Sequence, residues 1–189
     1  MENIPPAVLE NPFSLEWIDR GSFGEVYKFA DVAIKVIRTQ RLVEKETKAV
    51  VAEIALHSKL SHPNIVQYLG CYHATKHICI VLEFAEFGSL KSHLSKLREN
   101  CETLSDVQME SYTEQILTGL IYLHSQLKPI IHRDLRSPNV LMFANDILKI
   151  ADFGISKELN TLAGRSCFSS MVGNAYWQAP ELIKGNKGK

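Results

Sequence analysis

The sequence predicts an α+β fold in two unequal parts. A small five-stranded antiparallel sheet carrying one helix comes first, and a mainly helical region follows. Two observations lead there. Between residues 14 and 82 the apolar residues fall in short, β-branched runs bounded by turn residues. After Gly88 they recur three and four apart, the spacing of a helix face.

Residues 1–13 hold Pro5, Pro6 and Pro12 and read as a short leader. Glu25-Val26-Tyr27 and Val32-Ala33-Ile34-Lys35-Val36-Ile37 read as strands. Residues 44–60 carry helical spacing at Val50, Ile54 and His57. Residues 65–69 and 78–82 read as two further strands joined by a polar hairpin. In the second part, residues 89–97 read as a helix. Ser105 with Gln108 three residues on is a capping-box signature opening a longer one. Its apolar positions Val107, Met109, Ile116, Leu117, Leu120, Ile121 and Leu123 form a wide stripe expected to face a core. Val140-Leu141-Met142 and Leu148-Lys149-Ile150 read as short strands. A cleft between two such parts is where a ligand would bind.

Composition narrows the partners. Lys plus Arg number 21 and Asp plus Glu 21, a formal net charge of zero. A neutral chain lacks the basic footprint of a nucleic-acid binder or of a protein held on an acidic membrane. The cysteines, Cys71, Cys79, Cys101 and Cys167, form no Cys-x-x-Cys pair and read as reduced thiols. The apolar run 78–82 ends at Glu83, far short of the ~20 residues a membrane span needs. The first residues have neither a basic start nor an apolar core, so no signal peptide is expected. These features point to the cytosol, with the nucleus as alternative. His73 and His77, four apart, fall in the expected hairpin and read as solvated loop residues.

Four stretches carry chemistry. Asp19-Arg20-Gly21-Ser22-Phe23-Gly24-Glu25-Val26 places two glycines where backbone either turns tightly or approaches a phosphate. No Gly-Lys-Ser/Thr follows, so it is not a Walker loop. Lys35 lies among apolar strand residues. It either snorkels to water or faces an anion in a cleft, with Glu53, on the expected helix, as its holder. In His132-Arg133-Asp134-Leu135-Arg136-Ser137-Pro138-Asn139, Asp134 can accept a proton and Asn139 offers a neutral oxygen to a hard cation. Asp152-Phe153-Gly154 adds a carboxylate.

Taken in order, these motifs resemble the signature set of eukaryotic protein kinases, completed by Ala179-Pro180-Glu181. The resemblance covers about residues 14–189. It implies a bilobal kinase fold: an N-lobe over 14–82, a hinge over 83–88 and an incomplete C-lobe over 89–189. It implies ATP and Mg²⁺ as cofactors and a protein hydroxyl as acceptor. Gly21 and Gly24 would cover the phosphates, with Ile18, Ser22 and Phe23 among the nucleotide contacts. Lys35 would pair with the phosphates and with Glu53. Asp134 would accept the substrate proton, with Arg136 beside it, and Asn139 and Asp152 would hold Mg²⁺. Leu82 would gate the adenine pocket. The backbones of Glu83 and Ala85 would bond adenine between Val26, Ala33 and Leu141. Thr161, Ser166, Ser169 and Ser170 are candidate regulatory sites. A phosphate there would pair with Arg133, and an upstream activating kinase is implied.

The departures are informative. Asp19 replaces the first glycine of the loop. His57 and Tyr68 stand where the family's internal stack is usually aliphatic, and buried polar tips need partners. Arg136 stands where Ser/Thr kinases usually have Lys, as in some tyrosine kinases, and Asn174 stands where Ser/Thr kinases usually have Thr. His62-Pro63-Asn64-Ile65-Val66 resembles kinases that activate mitogen-activated kinase kinases, and Trp177 resembles the tyrosine-kinase-like group. The reading is transfer to Ser/Thr. The alternatives are a tyrosine or dual-specificity kinase, a non-catalytic scaffold, and an inactive fragment, since the family's later helices are missing after Glu181.

Overall fold

The computed structural model describes residues 4–20, 24–41, 43–153, 156–158 and 177. Five antiparallel strands form one sheet: β1 (Glu16–Arg20), β2 (Glu25–Phe29), β3 (Val32–Arg38), β4 (Tyr68–His73) and β5 (His77–Glu83). Their order is β1-β2-β3-β5-β4, which puts β3 in the middle. Gly24 opens β2 for a packing reason. A Cβ there would stand 2.2 Å from the Val36 carbonyl oxygen of the neighbouring strand, so no other residue fits.

Before the sheet, residues 6–10 form a short helix, α1 (Pro6–Glu10), and 12–14 a 3₁₀ turn. Leu9 is buried in the sheet's outer apolar cluster. The stretch that reads as a leader thus packs on the sheet.

Helix α2 (Glu44–His57) crosses the other face. Val43 at its N-cap has no side-chain acceptor, so the cap bond runs the opposite way. The Glu46 carboxylate accepts the Val43 N–H at 3.0 Å. The helix stops three residues before the expected end, and Leu60 turns into a core that both lobes share. That core also holds Leu56, Ile65, Leu123, Ile130, Ile150 and Phe153.

The expected strand at 65–69 is displaced, because Ile65 and Val66 are recruited by the second part. Val66 N–H donates to Ile150 O at 2.9 Å, and Ile150 N–H to Asn64 O at 2.9 Å. Only from Tyr68 does the chain join the sheet. His77 is also corrected: it is 4 % exposed and not a solvated loop residue.

The second part holds α3 (Leu90–Glu99) and α4 (Asp106–His124). Ser89 Oγ accepts the Ser92 N–H at 3.2 Å. The Ser105–Gln108 capping box forms in both directions, at 3.2 and 3.0 Å. Short strands follow: β6 (Ile130–Ile131), β7 (Val140–Phe143), β8 (Ile147–Ile150) and β9 (Lys157–Glu158). Strand β6 pairs with β9, and β7 with β8.

The α4 stripe is narrower than its sequence suggests. Tyr112, Gly119 and Leu123 are buried, and Ile116 and Leu120 pack partly against the core. Val107, Met109, Leu117 and Ile121 are exposed. Those seven apolar positions spread over more of the helix than one packed neighbour covers. Gly119 shows where α4 is closest: a Cβ would meet Asn64 O and Ile150 Cδ1 at 3.0 Å. Among the described residues, no helix is long and apolar enough to cross a membrane.

Candidate active site

A cavity of about 410 Å³ lies between the sheet and the second part. Its volume is within the usual range for a small-molecule site, ~300–1,000 Å³. Strand β1 contributes Ile18 and Asp19, β2 contributes Val26, and β3 contributes Ala33 and Lys35. The end of β5 contributes Leu82 and Glu83, the connection after it Ala85, and the floor is Leu141 with Asn139 and Asp152. Alternation along β3 explains the selection. Ala33 and Lys35 face the cavity while Ile34 and Val36 face the outer cluster.

Lys35 is the centre of charge. Its Nζ lies 2.6 Å from Glu53 Oε1 and 3.1 Å from Asp152 Oδ1. Burial alone pushes its pKa down. The Asp152 and Glu53 carboxylates outweigh burial and hold it above the ordinary lysine value. Lys35 is 6 % exposed and held by two carboxylates, so the snorkelling alternative falls away. Among the described residues, Glu53 Oε2 is buried with no hydrogen-bond partner. Asp152 sits at φ 62°, a left-handed backbone that a residue outside glycine adopts at a cost.

Asp134 is buried beside this cavity on the loop after β6. Its Oδ2 accepts from Asn139 Nδ2 at 2.8 Å and from Arg136 Nε at 3.2 Å. Asn139 Nδ2 also donates to the Asp134 carbonyl at 2.8 Å. Both donors land on one carboxylate oxygen, Oδ2, and the same bonds orient the Asn139 amide.

The internal stack is satisfied despite its polar members. His57 Nε2 donates to Val66 O at 2.7 Å. Its ring lies 4.8 Å from Phe153 and 6.0 Å from Tyr68. His132 lies 5.2 Å from Phe153 on the other side and donates from Nε2 to Ala151 O at 2.9 Å. Burial pushes the His57 pKa down to about 4 and lowers that of His132. Both histidines are neutral in the fold and ionise on unfolding. The unfolded chain therefore binds the extra protons, and stability falls as pH drops from about 6.5 towards 4. Between pH 7 and pH 5 His57 alone should cost about 2 kcal/mol. Urea unfolding should show this loss, and His57→Leu should flatten the profile. An unchanged slope would mean His57 ionises freely in the fold.

Sequence reasoning missed several wall residues. Ile80 and Val66 line the back of the cavity, and Gly88, Ser89, Ser92, Pro138 and Ala151 the front and floor. Only the paired strands and the shared core bring them there, so no local signal marks them. The end of β5 carries a further cross-link. Lys149 Nζ meets Glu83 Oε2 at 2.6 Å, while Glu83 Oε1 accepts the Gln67 N–H at 2.6 Å. Gly21, Ser22, Phe23, Gly154, Thr161, Ser166, Ser169, Ser170 and Ala179-Pro180-Glu181 lie outside the described residues.

Residues 14–189 match the family model for the protein kinase domain. The chain belongs to the protein kinase family. Among curated relatives, it is 37 % identical over 176 residues to Cell division control protein 7 of Schizosaccharomyces pombe, an alignment covering 88 % of this chain and 15 % of that protein. It is 37 % identical over 185 residues to MAP3K epsilon protein kinase 1 of Arabidopsis thaliana, covering 93 % and 13 %. It is 38 % identical over 176 residues to Mitogen-activated protein kinase kinase kinase 1a of Physcomitrium patens, covering 89 % and 22 %. The chain thus spans less than a quarter of the length of each of these three relatives. A kinase domain uses ATP, and its fold is the bilobal α+β arrangement described above.

Proposed function

We propose that this protein transfers the γ-phosphoryl group of ATP to serine or threonine hydroxyls of a protein substrate. The observation that carries the reading is the buried Lys35–Glu53 pair, joined by Asp152, on the cavity wall that Asn139, bonded to Asp134, completes. Phosphoryl transfer asks mainly for positioning and charge stabilisation, and these residues supply both in kind. Lys35 would hold the phosphates. Asp134 Oδ1 would accept the hydroxyl proton as the oxygen attacks the γ-phosphorus and the bond to ADP breaks.

The donor set fits Mg²⁺. Asn139 and Asp152 offer hard oxygens, and Mg²⁺ is commonly held by one or two protein oxygens plus phosphates and water. Among the described residues, no cluster of three His, Cys, Asp or Glu competes as a protein-only cage. Charge points the same way. The cluster carries two carboxylates against one ammonium, and Asp19 adds a third carboxylate to the wall. A polyphosphate entering that field requires a cation. When bound, Mg²⁺ would neutralise phosphate charge.

The names of the relatives support a place in a signalling cascade, with another protein kinase as the substrate class. Incubating the protein with labelled ATP, Mg²⁺ and mixed Ser-, Thr- and Tyr-containing peptides tests the reading. Phosphoserine or phosphothreonine in the acid hydrolysate is the expected result. Phosphotyrosine alone would reverse the acceptor class. Intact ATP binding with no transfer would favour a scaffold.

A further inference from the structure

Residues 4–13 dock on the face of the sheet opposite the nucleotide cavity. Leu9, 4 % exposed, sits among Tyr27, Ile34, Val36, Cys79 and Val81. Its carbonyl is held twice. His77 Nε2 donates to it at 2.8 Å, and the Cys79 thiol at 3.6 Å. The Tyr72 hydroxyl donates to Glu10 Oε1 at 2.7 Å. The Phe13 ring meets Tyr27 and His77 edge-on, and the Arg38 guanidinium lies 4.1 Å from its centroid.

The strand register shows what these contacts brace. Val36 is paired with Cys79 and Lys35 with Ile80. Ile34 and Val36, the neighbours of Lys35 in β3, belong to the same buried cluster as Leu9. The anchor therefore bears on the stretch of β3 and β5 that holds Lys35 from behind.

We propose that residues 4–13 are a positioning strap for Lys35: docked, they brace β3 from its outer face and set the ammonium in the nucleotide cavity; released, they leave it misplaced. Helix α1 has five residues, too few to stand alone, so the strap persists only by docking. Segments of this kind open locally, well below the cost of global unfolding. Misplacement of a phosphate-holding group by about 1 Å is enough to impair transfer.

The Cys79 thiol reports the docked state. It is fully buried, and burial pushes its pKa up to about 12, so it is inert beneath Leu9. The test uses the whole chain with Leu9→Ala, His77→Leu and His77→Gln. Alkylation of Cys79, followed by peptide mass to separate it from the other thiols, reads strap opening. Equilibrium ATP binding reads the position of Lys35. Leu9→Ala and His77→Leu should speed Cys79 alkylation about tenfold and weaken ATP binding about fivefold. His77→Gln, whose amide can still donate to the Leu9 carbonyl, should stay near wild type in both. Faster alkylation with unchanged ATP affinity would overturn the proposal, as would equal effects of His77→Leu and His77→Gln. If Leu9→Ala does not fold, the two His77 variants decide. The kinetic consequence, a fall in transfer rate, rests on the phosphotransfer reading. Failure of the wild type to transfer would sink that reading and leave the alkylation and binding arms standing.

Discussion

Asp134→Asn should lower phosphotransfer by about 10²–10⁴-fold while leaving ATP affinity within about twofold of wild type. The structure explains both halves. Asn is isosteric with Asp, and its amide oxygen can accept from Asn139 Nδ2 and Arg136 Nε as Oδ2 does, so the loop keeps its shape. The atom at the Oδ1 position becomes an NH₂. It can no longer accept a proton, and it confronts the substrate hydroxyl with a donor. The side chain is not among those lining the nucleotide cavity, so binding of ATP should be insensitive. Single-turnover transfer and equilibrium ATP binding separate the effects. Transfer within tenfold of wild type would remove Asp134 from the role of proton acceptor. A parallel fall in ATP affinity would mean the loop had moved.

Lys35→Met should unfold the protein more readily by about 3–5 kcal/mol and abolish measurable transfer. Methionine keeps most of the length and apolar volume of lysine, so the cavity left behind is small. The loss is electrostatic. Glu53 is 5 % exposed at its side chain and has Lys35 as its charge partner, and its second oxygen is already without a hydrogen bond. Removing the ammonium strands a buried carboxylate and leaves Asp152 facing it. The double variant Lys35→Met/Glu53→Gln should recover a substantial part of the stability and none of the transfer, because the neutral amide removes the stranded charge and cannot replace the cation. Urea unfolding of wild type, single and double variants measures this. A single variant as stable as wild type would show that the pair is solvated, against its burial.

The capping box at Ser105 was legible because it is a local bargain between a hydroxyl, an amide and two backbone donors, complete within four residues. The strands around Lys35 and the helix carrying Glu53 were legible for a related reason: apolar periodicity is a local pattern with one favoured outcome. The polar members of the internal stack were not. Nothing near His57 in the chain says that its Nε2 reaches the Val66 carbonyl, nine residues on and across a turn. His77 misled in the same way, since a histidine at a hairpin usually faces water. Here the partner that buries it is Leu9, 68 residues earlier. Gly24 carried a right residue type with a second reason, the Val36 carbonyl on the neighbouring strand.

The α4 helix marks the boundary between the two kinds of information. Its start, period and length follow from residues in sequence. Which side is covered depends on what folds against it, so Leu123 is buried while Ile121, two residues away, stays exposed. By itself the sequence determined the element types, their order, the α+β class and the chemical identity of the candidate site, because those depend on side-chain type and short-range spacing. The tertiary structure alone decided that Lys35 also meets Asp152, that Asn139 orients Asp134, and that residues 4–13 pack on the outer face of the sheet. Those are contacts between residues far apart in the chain or on different elements, and they form only when burial brings opposite charges and unpaired carbonyls within reach.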